Sequence, residues 1–220
     1  MKKRLHSTLR TALLTLVVSA WGIFFVGASL YALDVQQITP NASFGIGGYY
    51  GMYNISSTRD NDGPGPAKNG YGFGGGFICE SMITSAFGVG SGVWFNQTNF
   101  KYENMNASGS FQSLTMPVLA LASLSYNRFR FDILGGFVIS YIMNAKYKVN
   151  GETFEILKYA NCYQIGASGG FRIRFAVSRF TDIFIALQGE KYFTSLYDTG
   201  ESSSQMFGAS VLSGVLFRTF

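Results

Sequence analysis

Charged residues are scarce in this sequence: only 13% of its 220 residues are Asp, Glu, Lys or Arg. A typical soluble domain has about twice that share. After Leu33 there is also no apolar run long enough for a membrane-spanning helix, which needs about twenty residues. Because 47% of the residues are nonetheless hydrophobic, the apolar residues must be distributed over many short segments.

Histidine is almost absent as well, and the single one, His6, lies in the N-terminal segment. Nucleophilic systems built on Ser-His or Cys-His pairs need an imidazole base. No group of His and Cys has the spacing of metal ligands. We therefore expect a protein that is not an enzyme and that uses neither a catalytic metal nor a cofactor.

The first 32 residues are organised like a cleaved signal peptide. An uncharged apolar segment, residues 11–30, ends at small residues. The alternative is an uncleaved membrane helix, because the segment is long enough to span a bilayer. Four basic residues precede this segment, Lys2, Lys3, Arg4 and Arg10, and they explain most of the formal charge of +5, since 13 basic residues remain against 12 acidic ones without them. The mature domain is predicted to be residues 33–220, and a nucleic-acid partner is not expected.

The mature sequence alternates between apolar and small or polar residues at the period of a β-strand. The clearest of eight such segments runs from Phe129 to Met143, and the last runs from Phe207 to Phe217. Residues 111–124 are ambiguous because their apolar residues are nearly continuous. Eight strands make the smallest outer-membrane barrels. The predicted fold is therefore all-β, an eight-stranded antiparallel up-and-down transmembrane β-barrel.

The connections between these segments alternate in length. Long polar stretches occupy residues 54–69, 97–110, 144–160 and 193–204, and short turns occur near residues 81–85, 125–128 and 177–179. Long loops at one end and short turns at the other are typical of barrels inserted from the periplasm. This predicts a location in the cell outer membrane, with outer-membrane lipid as the surrounding partner.

Residues opposite in phase to the apolar stripes should point into the lumen. Near the short turns these predict a charged plug, formed by Glu80, Arg130, Asp132, Arg172, Arg174, Asp182 and Arg218. Nearer the long loops they predict an open aromatic vestibule, lined by Tyr49, Tyr53, Trp94, Val138, Ile142, Tyr192 and Met206. Buried charges must be paired to be tolerated. Two interpretations of the plug remain, one as a stabilising closure and one as a gate or ion path.

The segment SLTMPVLALASLSY before FRFDILGGFVISYIM, together with the terminal Phe220, resembles the small porin-family barrels. The pattern is most similar to the OmpW/AlkL type, and next to OmpX/OmpA-type barrels. One departure is that Phe220 and Phe217 have opposite strand parity, which predicts a bulge near the C terminus or a different register. The resemblance implies lateral exit of a ligand through a disrupted wall, for which the glycine-rich second strand and Pro117 are the candidates.

Two classes of function follow. We favour passage of small hydrophobic or amphipathic molecules through the vestibule, as the OmpW/AlkL resemblance implies. The alternative is a surface-exposed structural or adhesin barrel whose loops bind a host or environmental partner. The two cysteines, Cys79 and Cys162, fall at opposite ends of their strands, about 20 Å apart along the barrel. We therefore predict that they do not pair, since a disulfide needs Cα atoms within about 7 Å.

Overall fold

The computed structural model describes residues 42–57, 67–102, 107–155, 157, 160–196 and 204–219. The predicted signal peptide and Phe220 lie outside these residues. The described chain forms nine strands: β1 (Ala42–Ser57), β2 (Ala67–Met82), β3 (Phe87–Tyr102), β4 (Ala107–Tyr126), β5 (Phe129–Val149), β6 (Glu152–Glu155), β7 (Tyr163–Ala176), β8 (Thr181–Tyr192) and β9 (Ser204–Arg218). Within these ranges no helix is long and apolar enough to cross a membrane.

Eight of the strands close into a barrel in which every neighbouring pair is antiparallel. The pairing order is β4-β3-β2-β1-β9-β8-β7-β5, and β4 also pairs with β5, which closes the ring. Closure leaves no free edge in the ring, so each of its eight strands has a hydrogen-bonded neighbour on both sides, as a bilayer requires. The predicted eight-stranded up-and-down barrel is confirmed.

Side chains alternate between the two faces of the wall, as strand geometry requires. On β5, for example, Phe137 is 65% exposed on the outer face, whereas the next residue, Val138, is fully buried in the lumen. The other outward positions of the wall hold mainly Phe, Tyr, Ile, Leu, Val and Met. An apolar outer band around a partly polar interior is the arrangement of transmembrane β-barrels.

The third long connection differs from its prediction as a polar loop. β5 continues to Val149 and turns through Asn150 and Gly151, whose φ angles of 50° and 94° fit the two-residue turns preferred in hairpins. β7 stops pairing with β5 at Tyr141, and above that point β6 takes its place. The upper parts of β4 and β5 and all of β6 thus form a three-stranded extension of the wall, here termed the ledge (residues 107–112, 144–149 and 152–155).

A bulge at Met143 changes the phase of β5 at the base of the ledge. Gln112 pairs with Asn144 and Ser113 with Ile142, so Met143 has no partner on β4. Inward positions therefore change from even to odd numbers, and both Ile142 and Ala145 are buried. One extra residue in a strand has this effect on facing.

The last strand is regular. β9 pairs with β1 without a register shift from Ser204 to Arg218. Phe217 faces outward and Leu216 is fully buried, as the alternation predicts. The bulge predicted near the C terminus does not occur in β9, and Phe220 lies beyond the described residues.

Candidate functional site

A charge cluster crosses the lower lumen near the short turns. Arg172 donates from Nε to Asp132 Oδ2 at 2.9 Å and from Nη1 to Glu80 Oε1 at 2.5 Å. Arg174 contacts the same two carboxylates, with Nε 2.5 Å from Asp132 Oδ2 and Nη1 2.9 Å from Glu80 Oε2. All four side chains are buried. These four residues, all members of the predicted plug, thus form four ion pairs with one another.

The strand order explains how these residues meet. Asp132 on β5 and Arg172 on β7 are direct cross-strand partners. Glu80 lies on β2, which is four strands away from β7 in a ring of eight and so on the opposite wall. The Glu80 ion pairs therefore span the lumen and tie its two sides together. A barrel of eight strands is narrow enough for side chains to fill its interior.

The remaining charged residues of the predicted plug take more peripheral places. Arg130 Nε lies 3.3 Å from Asp132 Oδ1, and the Arg130 side chain is partly exposed. Arg218 and Asp182 form their own two-pronged pair between β9 and β8, with one hydrogen bond of 2.9 Å and a second between Nη2 and Oδ1. The predicted set thus divides into a cluster of five residues and a separate pair.

Polar side chains that were absent from both predicted sets fill the middle of the lumen. Asn96 donates to Thr115 at 2.7 Å, and the Thr115 hydroxyl lies 2.9 Å from that of Ser140. Gln188 and Glu190 on β8 also point inward, the latter accepting a hydrogen bond of 3.2 Å from Tyr192. Tyr192 on the same strand is predicted to face inward, and the alternation of side chains gives Gln188 and Glu190 the same inward direction. A cavity of about 20 Å³ beside Glu190 has room for a water molecule but not for an organic ligand.

The upper lumen is a packed core, so the prediction of an open vestibule is wrong for the described residues. The predicted residues do lie inside, but Tyr53, Val138, Ile142 and Tyr192 are all buried, and Trp94 is only 7% exposed. Tyr49 and Met206 are partly buried against the same cores. The filling comes from Phe100, Phe111 and Leu196.

The phenylalanines Phe100 and Phe111 pack edge to face with ring centroids 5.4 Å apart. Phe100 and Leu196 fall in stretches predicted as polar loops. The sequence therefore did not indicate that their side chains fill the upper lumen, and an open vestibule was predicted there. The described part of the lumen thus offers no open path from end to end.

The wall itself is interrupted at one of the two predicted places. Between β3 and β4 the ladder pairs Ser91 with Val118 and Trp94 with Thr115, but not the residues between. Pro117 lies in this gap and has no N–H to donate, and the Ser91 hydroxyl donates to the Pro117 carbonyl at 2.6 Å. The glycine-rich β2, by contrast, pairs continuously with β3 from Tyr71 to Met82.

Cys79 and Cys162 are both thiols and are not joined to each other by a disulfide. Cys79 pairs with Ser91 near the short-turn end of β2. Cys162 precedes β7, and its carbonyl accepts a hydrogen bond of 2.8 Å from Ile142 beneath the ledge. They therefore lie at opposite ends of the barrel, as predicted.

No protein-family model matches the sequence, and no curated protein matches it significantly. A major outer membrane protein from Thermus thermophilus has a similar structure, with a TM-score of 0.52 and 15% identity over 81% of this chain and 99% of that one. Ail, the attachment invasion locus protein of Yersinia pestis, is similar at a TM-score of 0.46 and 14% identity, over 81% of this chain and 99% of that one.

Neisserial surface protein A is similar at a TM-score of 0.48 and 13% identity, over 80% of this chain and 97% of that one. At such identities a likeness shows the fold alone. The closed ring and its apolar outer band agree with that fold. The chain is an outer-membrane β-barrel. We expect its short-turn end, which holds the first residue of β1 and the last of β9, to face the periplasm, because short turns lie on that side in barrels of this class; the ledge then lies at the outward end.

Proposed function

We propose that this outer-membrane barrel is a closed platform whose function lies at its outward end, where the loops and the ledge bind a host or environmental partner. One observation carries the proposal. Glu80 forms ion pairs across the full width of the lumen with Arg172 and Arg174. Together with the packed core above it, this cluster fills the space that a permeating solute would need.

The ledge supports the second half of the proposal. Its strands are hydrogen-bonded to one another, so its surface is held in place at little further entropic cost on binding. Phe154 is 48% exposed, and its strand neighbours Glu152 and Glu155 are exposed as well. An aromatic residue rimmed by charge at an outward end is suited to contact another macromolecule. The function proposed here is binding, without enzymatic activity.

Attachment of whole cells tests this proposal. Cells that display the protein should adhere to epithelial cells or matrix proteins more than cells with an empty vector. The triple variant Glu152→Ala, Phe154→Ala, Glu155→Ala should lose this adhesion while it keeps the barrel. A matched control is Lys191→Ala on β8, outside the ledge. Equal adhesion by the triple variant and the unaltered protein would refute a role for the ledge.

A second candidate function is passage of small hydrophobic molecules, and the gap at Pro117 favours it. A cavity of about 40 Å³ inside the wall is lined by Pro117, Ser91 and Trp94, next to the interrupted ladder. The resemblance of the sequence pattern to the OmpW/AlkL type agrees with lateral exit there. Pro117→Ala restores a backbone donor. If this candidate is right, the substitution should slow uptake of a hydrophobic dye into cells; unchanged uptake would eliminate it.

A further inference from the structure

Three lysines lie around one cleft on the outer face of the ledge and the adjacent end of β3. Lys101 on β3 and Lys146 and Lys148 on β5 are all exposed and line a cleft of about 320 Å³. None of them forms an ion pair with a carboxylate of the described residues. Clustered like charges without partners are costly to place together unless a counter-ion is shared between them.

The register puts the lysines on both sides of a hydroxyl-lined floor. Ser108 on β4 pairs with Lys101 on one side and with Lys148 on the other. Ser110, two residues further down β4, pairs with Lys146. Two strand spacings separate Lys101 from Lys148, about 10 Å between Cα atoms. Because lysine side chains are long and flexible, both ammonium groups can reach an anion above Ser108.

The nearest described carboxylate does not neutralise the cleft. Glu155 on β6 is the cross-strand partner of Lys146, but the two side chains form no ion pair. Glu152 pairs with Val149 at the tip of the ledge. Among the described residues, the cleft therefore has three positive charges and one adjacent carboxylate.

The height of the cleft identifies the kind of anion. Tyr71 on β2 faces outward beside Asn99, and Tyr141 and Tyr163 face outward with ring centroids 5.1 Å apart. Outward aromatic residues at this end of the apolar band mark the membrane interface. Lys101 is two residues beyond Asn99, about 5 Å higher along the tilted strand. That distance places Lys101 within the headgroup layer, which adds about 5–7 Å to each side of the hydrocarbon core. Lys146 and Lys148 lie five and seven residues beyond Tyr141 on β5, about 12 and 16 Å higher along the tilted strand. Their long side chains must therefore extend toward the bilayer to reach a phosphate at the height of Lys101.

We propose that the cleft between Lys101, Lys146 and Lys148 binds the phosphate headgroup of an anionic lipid in the outward leaflet. The lysines supply the charge, and the hydroxyls of Ser108 and Ser110 can donate hydrogen bonds to the phosphate oxygens. The acyl chains of the lipid then lie against the apolar wall below. Four of its residues, Ser108, Ser110, Lys146 and Lys148, belong to the ledge, and Glu155 is the cross-strand partner of Lys146. The two proposals are tested with different substitutions, since the adhesion variant changes only residues of β6 and the lipid-binding variants change only the three lysines.

Lipid titration of the purified protein in detergent, followed by native mass spectrometry, tests the proposal. Phosphatidic acid should bind, and diacylglycerol, which differs only by the phosphate, should not. Lys101→Gln, Lys146→Gln and Lys148→Gln should each weaken phosphatidic acid binding about fivefold, and the triple variant about hundredfold. Lys191→Gln, an exposed outward lysine on β8, is the matched control and should change affinity less than about twofold.

Three results would overturn the proposal: a triple variant that binds like the unaltered protein, diacylglycerol binding of equal strength, or a Lys191→Gln effect as large as that of Lys148→Gln. Inorganic phosphate and a sulfated oligosaccharide are added in two further experiments as competitors of phosphatidic acid. If either displaces phosphatidic acid at equal concentration, the site serves free or polymeric anions, and the lipid assignment is wrong. Heat-modified mobility in gels checks folding, and the single variants decide the matter if the triple variant does not fold.

Discussion

Replacing Asp132 by alanine should destabilise the barrel by about 3–5 kcal/mol, because the substitution leaves buried charges without a partner. Asp132 accepts from Nε of both Arg172 and Arg174 and from the hydroxyl of Ser123 at 2.6 Å. Without it, these two arginines and Arg130 face Glu80 alone. The three guanidinium groups are too deep in the lumen to be solvated fully, so most of the penalty should appear in the free energy of unfolding.

Asp182 provides the matched control. Its partner, Arg218, is 35% exposed, so water can solvate the guanidinium group when the carboxylate is removed. Asp182→Ala should therefore cost only about 1 kcal/mol. Equilibrium urea unfolding in phosphatidylcholine vesicles measures both values, with the fluorescence of the buried Trp94 as the signal. Equal stabilities of the two variants would refute the argument that the cross-lumen cluster is the stabilising element.

Three further predictions concern packing and the cysteines. Gly136→Ala should lower the free energy of unfolding by about 2 kcal/mol or more, because a Cβ there would overlap a backbone oxygen of β4. Gly135→Ala, where a Cβ meets no heavy atom within 4 Å, should change it by less than about 0.5 kcal/mol. Urea unfolding compares the two variants, and equal losses would contradict the close approach at Gly136. Alkylation of the non-reduced, unfolded protein should add two labels, at Cys79 and Cys162, by mass spectrometry, and an unlabelled monomer would reveal an internal disulfide. Acrylamide should quench Trp94 emission weakly in the folded barrel, and quenching as strong as in urea would indicate an open vestibule.

The barrel wall could be predicted from the sequence because the alternation of apolar and polar residues within each strand shows which side chains face the lipid. In β5, the apolar set from Phe129 to Ile139 and the intervening Asp132 already showed which side meets lipid and which the lumen. The charge cluster followed from the same parity, since inward Asp132 and Arg172 lie on adjacent strands. These features need only the period of two and the order of the strands.

The filling of the lumen could not be predicted in the same way. Whether side chains meet across a barrel depends on the register of all eight strands, and this register cannot be deduced from the sequence of any one strand. Phe100 and Leu196 lie in stretches that look like loops, yet both are buried in the upper core. The bulge at Met143 leaves no mark in the sequence, and it decides that Ala145 faces inward. Glu190, by contrast, has the even number shared by the inward residues of β8, so its inward direction could be predicted from the sequence.

Single-channel recording in planar bilayers tests the closed barrel most directly. The unaltered protein, with folding confirmed by its heat-modified mobility, should insert and show no steady conductance, because the pairs of Glu80 with Arg172 and Arg174 cross the lumen below a packed core. A stable open level that scales with salt concentration would contradict this account. It would show that the ions find a continuous path through the lumen, and that the barrel is a channel.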